Sequence, residues 1–173
     1  DKFEYDVGVS GKAGNLGGQI VAGGNPFEGW RSRPFPVPPL ATMSFGELFT
    51  DATTDLGYHP FPQPAAILSQ GYTDASGKPR SGCLYCGYCV TFGCEVDAKA
   101  SPLTTHLPMA LDTGRYEVRT HSTVIGIELN DRGMATGLRY IDRAGREHFQ
   151  PAARVFLTGF TYPNIRLLLL SRN

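Results

Sequence analysis

The stretch Val155-Phe-Leu-Thr-Gly-Phe-Thr-Tyr-Pro-Asn-Ile-Arg-Leu-Leu-Leu-Leu170 decides the fold class. Its first four residues form a short apolar run of the kind that fills a buried strand, and Gly159 ends it with a turn. Thr161 or Tyr162 then serves as a cap, and Pro163 opens a leucine-rich helix, because a proline in the first helical turn gives up no needed N–H. Strand, glycine turn and helix make the elementary unit of a parallel sheet, which holds nucleotides at its carboxyl edge. The expected class is therefore α/β with α+β elements.

Upstream the hydrophobic period changes to two. Val118, Thr120 and Ser122 alternate with Arg119 and His121, and from Val124 onward Ile125, Ile127 and Leu129 run in the opposite phase, which predicts a β-bulge. Asn130-Asp-Arg-Gly133 turns the chain into a strand over 134–142, and Asp142-Arg-Ala-Gly145 turns it again into 146–150.

The first half of the chain is loop-rich. Glycines crowd residues 8–24, and Gly11-Lys-Ala-Gly-Asn-Leu-Gly-Gly18 is only loosely like a phosphate loop: it matches neither G-x-G-x-x-G nor the Walker pattern and has no strand before it. Prolines 34, 36, 38 and 39 forbid helix in the aromatic stretch that follows, an extended lid or wrapping connection whose Arg31 and Arg33 could meet an anion but by base rate are solvated. Ser44 with Glu47 reads as a capping box opening an amphipathic helix that carries Phe45, Leu48, Phe49, Ala52 and Leu56 on a core-facing side and stops at Gly57. A second helix is expected from Ser101 and Pro102 to Gly114, with Pro108 marking a kink or a fresh start.

All four cysteines fall in Cys83-Leu-Tyr-Cys-Gly-Tyr-Cys-Val-Thr-Phe-Gly-Cys94, a C-x2-C-x2-C-x4-C run. Two successive C-x2-C steps let one loop aim three thiolates at a point, so Cys83, Cys86, Cys89 and Cys94 are candidate ligands of an iron-sulfur cluster of open nuclearity. Zinc competes, although structural zinc sites usually split their ligands into two knuckles. Disulfides compete too, although such short loops add little unfolded-state entropy.

Sixteen basic and sixteen acidic residues balance to a formal charge of zero with no Lys/Arg run, which argues against nucleic acid or an anionic membrane surface as the main partner. The apolar runs are far too short to span a bilayer, and no signal-peptide pattern marks the start. The first residue is Asp rather than Met, and the chain stops just after its leucine run, so the sequence reads as an internal piece of a longer protein. None of His59, His106, His121 and His148 has a convincing catalytic partner in sequence.

Together these marks resemble the glucose-methanol-choline (GMC) flavin oxidoreductases, in the branch of the flavoprotein subunits of bacterial membrane-bound gluconate and polyol dehydrogenases. The resemblance runs through Lys2-Phe-Glu-Tyr-Asp-Val-Gly-Val-Ser-Gly-Lys-Ala-Gly-Asn15, Gly24-Asn-Pro-Phe-Glu-Gly29 with Arg31-Ser-Arg-Pro34, and Cys83 to Cys94 continuing into Ala98-Lys-Ala-Ser-Pro102. The hairpin from Tyr116 to Asp142 and the segment Val155 to Ser171 resemble the family's second FAD-binding section, which usually ends Ser-Gly-Ile-Gly where this chain has Ser171-Arg-Asn.

The resemblance implies a partial FAD/NAD(P)-binding Rossmann-like domain with an inserted, loop-rich cysteine region and a β-hairpin. It divides the chain into a loop-rich segment with one helix (1–82), a cysteine-cluster loop (83–102), and the hairpin with the second FAD-binding segment (103–173). It implies FAD as cofactor, with the backbone of Val124 at the adenine and Thr158 with Gly159 at the adenosine ribose. The family's G-x-G-x-x-G segment and catalytic histidine have no counterpart here, so no catalytic residue is expected in this chain. The implied chemistry is oxidation of an alcohol group of a sugar, polyol or sugar acid by hydride transfer to flavin. The iron-sulfur cluster would pass electrons to a cytochrome c or other acceptor, with small subunits as further partners and a bacterial periplasmic, membrane-associated location through a partner subunit. The competing reading is a stand-alone iron-sulfur electron-transfer or zinc-stabilised binding module without flavin.

Overall fold

The computed structural model describes residues 2–171 in two compact units, Asp1–Tyr116 and Glu117–Asn173.

In the first unit, α1 (Lys2–Val7) ends at Gly8, whose φ of +78° places it in the left-handed region that glycine tolerates. This helix lies in a segment expected to hold only one, so the described residues of 1–82 carry two helices. Two small antiparallel hairpins follow the glycine and turn chemistry: β1 (Asn15–Leu16) with β2 (Gln19–Ile20), and β3 (Tyr72–Thr73) with β4 (Pro79–Arg80). Asp74 closes the second turn by accepting from the N–H groups of Ser76 and Lys78.

The core of this unit centres on Val37, Leu68 and Ala98, with Ile67, Tyr72, Cys83, Cys94 and Val96 packed against it. Residues 65–68 hold it together. Ala65 exchanges backbone bonds with Ser10, while Leu68 N–H donates to Ala98 O and Cys83 N–H to Leu68 O. Buried Arg80 spans the same region, donating to Val7 O at 2.6 Å and Asp97 O at 3.1 Å, and burial pushes its pKa down.

Helix α2 (Ser44–Asp55) departs from expectation at both its start and its packing. Met43 is the N-cap and makes no side-chain cap bond, so the Ser44/Glu47 box does not form; Gly57 stops the helix as expected, its N–H on Thr54 O. None of its residues is buried, and Phe45 and Leu48 are largely exposed. A hydrophobic period reports a face able to pack and cannot say that a partner surface is at hand. Helix α3 (His106–Asp112) begins later than Ser101, and Pro108 lies in its first turn, the fresh start its position predicted.

The second unit is an antiparallel meander, β5 (Thr123–Leu129), β6 (Ala135–Ile141) and β7 (Glu147–Pro151), with α4 (Thr161–Leu170) against β5. The bulge falls where the phase change put it, between Val124 and Gly126. Both turns use one device: Asn130 Oδ1 accepts from Arg132 and Met134 N–H, and Asp142 Oδ1 from Ala144 and Arg146 N–H, with Gly133 and Gly145 at positive φ.

The Rossmann-like expectation is met only as a mixture of helices and small sheets. Every sheet among the described residues is antiparallel, and Val155–Thr158, expected as a buried strand, is unpaired, with Phe156 81% exposed. A parallel strand needs a neighbour to satisfy its N–H and C=O groups, and none is present here among the described residues. The run still alternates, with Val155 and Leu157 half-buried and Phe156 and Thr158 exposed.

Candidate functional site

In the second unit, the loop 155–159 and the first turns of α4 face the start of β5 across a cleft of about 700 Å3. Thr123, Val124, Ile127 and Leu138 form one wall; Val155 to Gly159 and Tyr162, Pro163, Asn164, Arg166 and Leu167 form the rest. Val124, Thr158 and Gly159, the three residues singled out for cofactor binding, thus line one cavity. The walls are mostly apolar, and Arg166 is the charged group among them.

The loop owes its shape to the helix that follows. Phe160, the N-cap of α4, adopts φ 67° and ψ 179°, a region that suits glycine and costs a larger residue roughly 1–3 kcal/mol. Asn164 compensates by accepting from Gly159 N–H at 3.0 Å and donating to Leu157 O at 3.3 Å. Sequence reading passed over Asn164. Its signal was a carboxamide, a poor helix-interior residue, in a first turn where it can bond back to preceding backbone. At the other end of α4, Ser171 Oγ accepts from Ile127 N–H at 2.7 Å and donates to Leu167 O at 2.7 Å.

The cleft fits the adenosine part of a dinucleotide in kind. Its apolar faces suit a purine ring, and Thr158 N–H and C=O, without a hydrogen bond among the described residues, can meet polar edges.

The glycine-rich loop of the first unit is closed to anions by the chain itself. Glu28 Oε2 accepts from Gly14 N–H at 2.6 Å and Asn15 N–H at 3.3 Å. Arg31, expected to be solvated, is buried: it pairs with the Glu4 carboxylate, lies 3.5 Å from Glu28 and stacks on Phe35. That hydrogen-bonded pairing holds the Glu4 carboxyl below its ordinary pKa range. Arg33 stacks on the Tyr5 ring.

In the cysteine loop all four sulfurs are free thiols. Cys83, Cys86 and Cys89 share the walls of a cavity of about 160 Å3 with Met43 and Tyr85, and Cys94 is not among them. Cys94 Sγ instead accepts from Lys99 N–H at 3.5 Å, while the Lys99 ammonium bonds Cys89 O and Phe92 O at 2.7 and 2.9 Å. Backbone N–H groups of Lys99, Val96 and Ala98 hold the Cys94 pKa below that of an ordinary thiol. Among the described residues no three His, Cys, Asp or Glu side chains gather as a metal would need, so the thiols as placed do not fit a four-sulfur cluster.

Two of the histidines make local contacts. His106 stacks on Phe3, and His148 stacks on Tyr140 and meets Asp142 Oδ2 at 2.9 Å, a partner the sequence did not reveal.

Comparison with known proteins bears on this geometry. The chain is 37% identical over 175 residues to the gluconate 2-dehydrogenase flavoprotein of Pantoea cypripedii, an alignment covering 99% of this chain and 28% of that protein. The chain belongs to the GMC oxidoreductase family. GMC relatives at 33% identity include 2-methyl-1,2-propanediol dehydrogenase of Mycolicibacterium austroafricanum, over 78% of this chain and 23% of that protein. Paromamine 6'-oxidase of Streptomyces fradiae matches at 33% over 88% of this chain and 26% of its own length. The chain therefore spans about a quarter of the length of the curated GMC relatives it matches. No protein-family model matches it.

Proposed function

We propose that this chain supplies the adenosine-holding part of an FAD-dependent oxidoreductase acting on an alcohol group of a sugar, polyol or sugar acid. The observation that carries the reading is the shared cleft. Val124 lies more than thirty residues before Thr158 and Gly159, yet all three line it. The relatives support the reaction class, since their names are those of dehydrogenases and an oxidase, one of them a flavoprotein.

Bound FAD would supply the hydride acceptor of alcohol oxidation. The chain's own part is to seat the purine against Val124 and the apolar wall, and to offer the Thr158 main chain to the ribose. The finer reading extends to an iron-sulfur centre on the cysteine loop, a cytochrome c acceptor, small subunits, and a periplasmic location at a membrane through a partner subunit. It rests on the cysteine spacing and the resemblance, and the proposed binding chemistry runs without it. No helix among the described residues is long and apolar enough to cross a membrane. The alternative of a stand-alone iron-sulfur or zinc module rests on the same thiols, which the described residues do not gather around one ion, and it leaves the shared cleft without a use.

Calorimetric titration of the chain with ADP, FAD and FMN tests the proposal. An adenosine site binds ADP and FAD in competition and ignores FMN; FMN binding without ADP binding refutes it.

A further inference from the structure

Asn164 uses both ends of its carboxamide on the loop that borders the cleft. Its Oδ1 accepts from Gly159 N–H at 3.0 Å and its Nδ2 donates to Leu157 O at 3.3 Å. These partners fix the orientation of the amide, because an N–H must face oxygen and a carbonyl must face NH2. Thr158 is the residue between them, and its own N–H and C=O make no bond among the described residues. Among the described residues the loop has no sheet partner, and Phe160 just after it holds an unfavourable backbone conformation.

We propose that Asn164 is a positioning residue that brackets Thr158 and aims its main-chain N–H and C=O at the adenosine moiety of the cofactor. The proposal rests on the reading of the cleft as an FAD site and adds the device that sets its polar edge. Adenosine suits that edge, since its ribose hydroxyls both donate and accept. The chemistry of position 164 is narrow. Aspartate keeps the acceptor for Gly159 N–H, but when ionised it turns a second oxygen towards Leu157 O. Alanine loses both bonds, and serine offers a single oxygen for two separated partners.

The test is calorimetric titration of the chain and its Asn164→Ala and Asn164→Asp variants with ADP, with circular dichroism to score folding. Wild-type chain binds ADP, and N164A binds about tenfold or more weakly, the loss expected when the polar edge is no longer held. N164D is weak at pH 8, and its affinity relative to wild type climbs as pH falls towards ~4, because the protonated carboxyl again donates to Leu157 O. A merely structural residue would not give the affinity ratio that pH dependence. ADP binding by N164A equal to wild type overturns the role of Asn164 and leaves the FAD reading standing, as does an N164D ratio flat with pH. Absence of ADP binding by the folded wild-type chain overturns the FAD reading, and the proposal with it.

Discussion

Ile127 N–H donates to Ser171 Oγ at 2.7 Å, joining the middle of β5 to the end of α4. Ser171 passes the bond on to Leu167 O, so one hydroxyl satisfies a strand donor and a helix acceptor. Ile127 is buried, and the hydroxyl is the partner of its N–H. Ser171→Ala is therefore expected to destabilise the second unit by about 1–3 kcal/mol, the cost of an unmade bond to a buried group. Ser171→Thr, which keeps the hydroxyl, should lose less. Urea unfolding followed by circular dichroism measures both; equal stability of S171A and wild type would show that the bond contributes nothing.

Asp142 plays two parts that one substitution separates. Its Oδ1 closes the second hairpin turn as Asn130 closes the first, while Oδ2 meets His148 and Arg146. The His148 hydrogen bond leads the influences that hold the Asp142 pKa well below the ordinary aspartate range. A depressed folded pKa gives stability that is present above the unfolded value and lost as pH falls through the folded one. The hairpin should accordingly lose stability in acid below the ordinary aspartate pKa. Asp142→Asn keeps the turn and removes the charge, so its Tm at neutral pH should fall towards the value the wild type has in acid, and the acid-dependent loss shrinks. Thermal unfolding from pH 2 to 7 decides; an unchanged acid slope in D142N would place the dependence elsewhere.

Turn chemistry and the bulge were legible in the sequence because they are local. Asn130 to Gly133, Asp142 to Gly145 and the phase change at Val124 each carry their cause within a few residues. Burial was not legible. The α2 period and the Val155–Thr158 run announce apolar faces, but whether a face is covered depends on chain that lies far away in sequence. Arg31 misled for the same reason: Glu4, twenty-seven residues earlier, is what makes its burial tolerable. At the candidate site the family resemblance pointed to Val124, Thr158 and Gly159, whereas Asn164 showed its role only when its amide was seen reaching back to residues 157 and 159.

Gly14 and Gly24 lie where two stretches of backbone cross too closely for any side chain. A Cβ on Gly14 would stand 1.8 Å from Asn25 O, and one on Gly24 would stand 2.2 Å from Ala13 O. Backbone cannot rotate away as a side chain would, so Gly14→Ala should exceed the ~1–3 kcal/mol of ordinary overpacking. Gly29 is the control: its Cβ would meet nothing within 4 Å, and alanine there should be nearly neutral. Limited proteolysis with urea titration compares them; G14A as stable as G29A would mean that the crossing is looser than described.

Cys94 should behave unlike the other three thiols. Its sulfur accepts from Lys99 N–H, and the neighbouring N–H groups of Val96 and Ala98 add to the same effect, whereas Cys83 accepts one bond, from Tyr85 N–H at 3.3 Å. Amide donors favour the thiolate over the thiol, and the Lys99 ammonium is bonded to Cys89 O and Phe92 O. As pH rises, Cys94 should therefore reach half-maximal alkylation at a pH below the ordinary thiol range. The same cradle makes Cys94 depend on the fold in a way that Cys86, which is exposed, does not. In urea the amides disperse, and the Cys94 alkylation profile should move up into the ordinary thiol range. Iodoacetamide labelling at stepped pH, read site by site by mass spectrometry with and without urea, measures this. If Cys94 titrates in the ordinary thiol range in the folded chain, the amide cradle does not hold its thiolate.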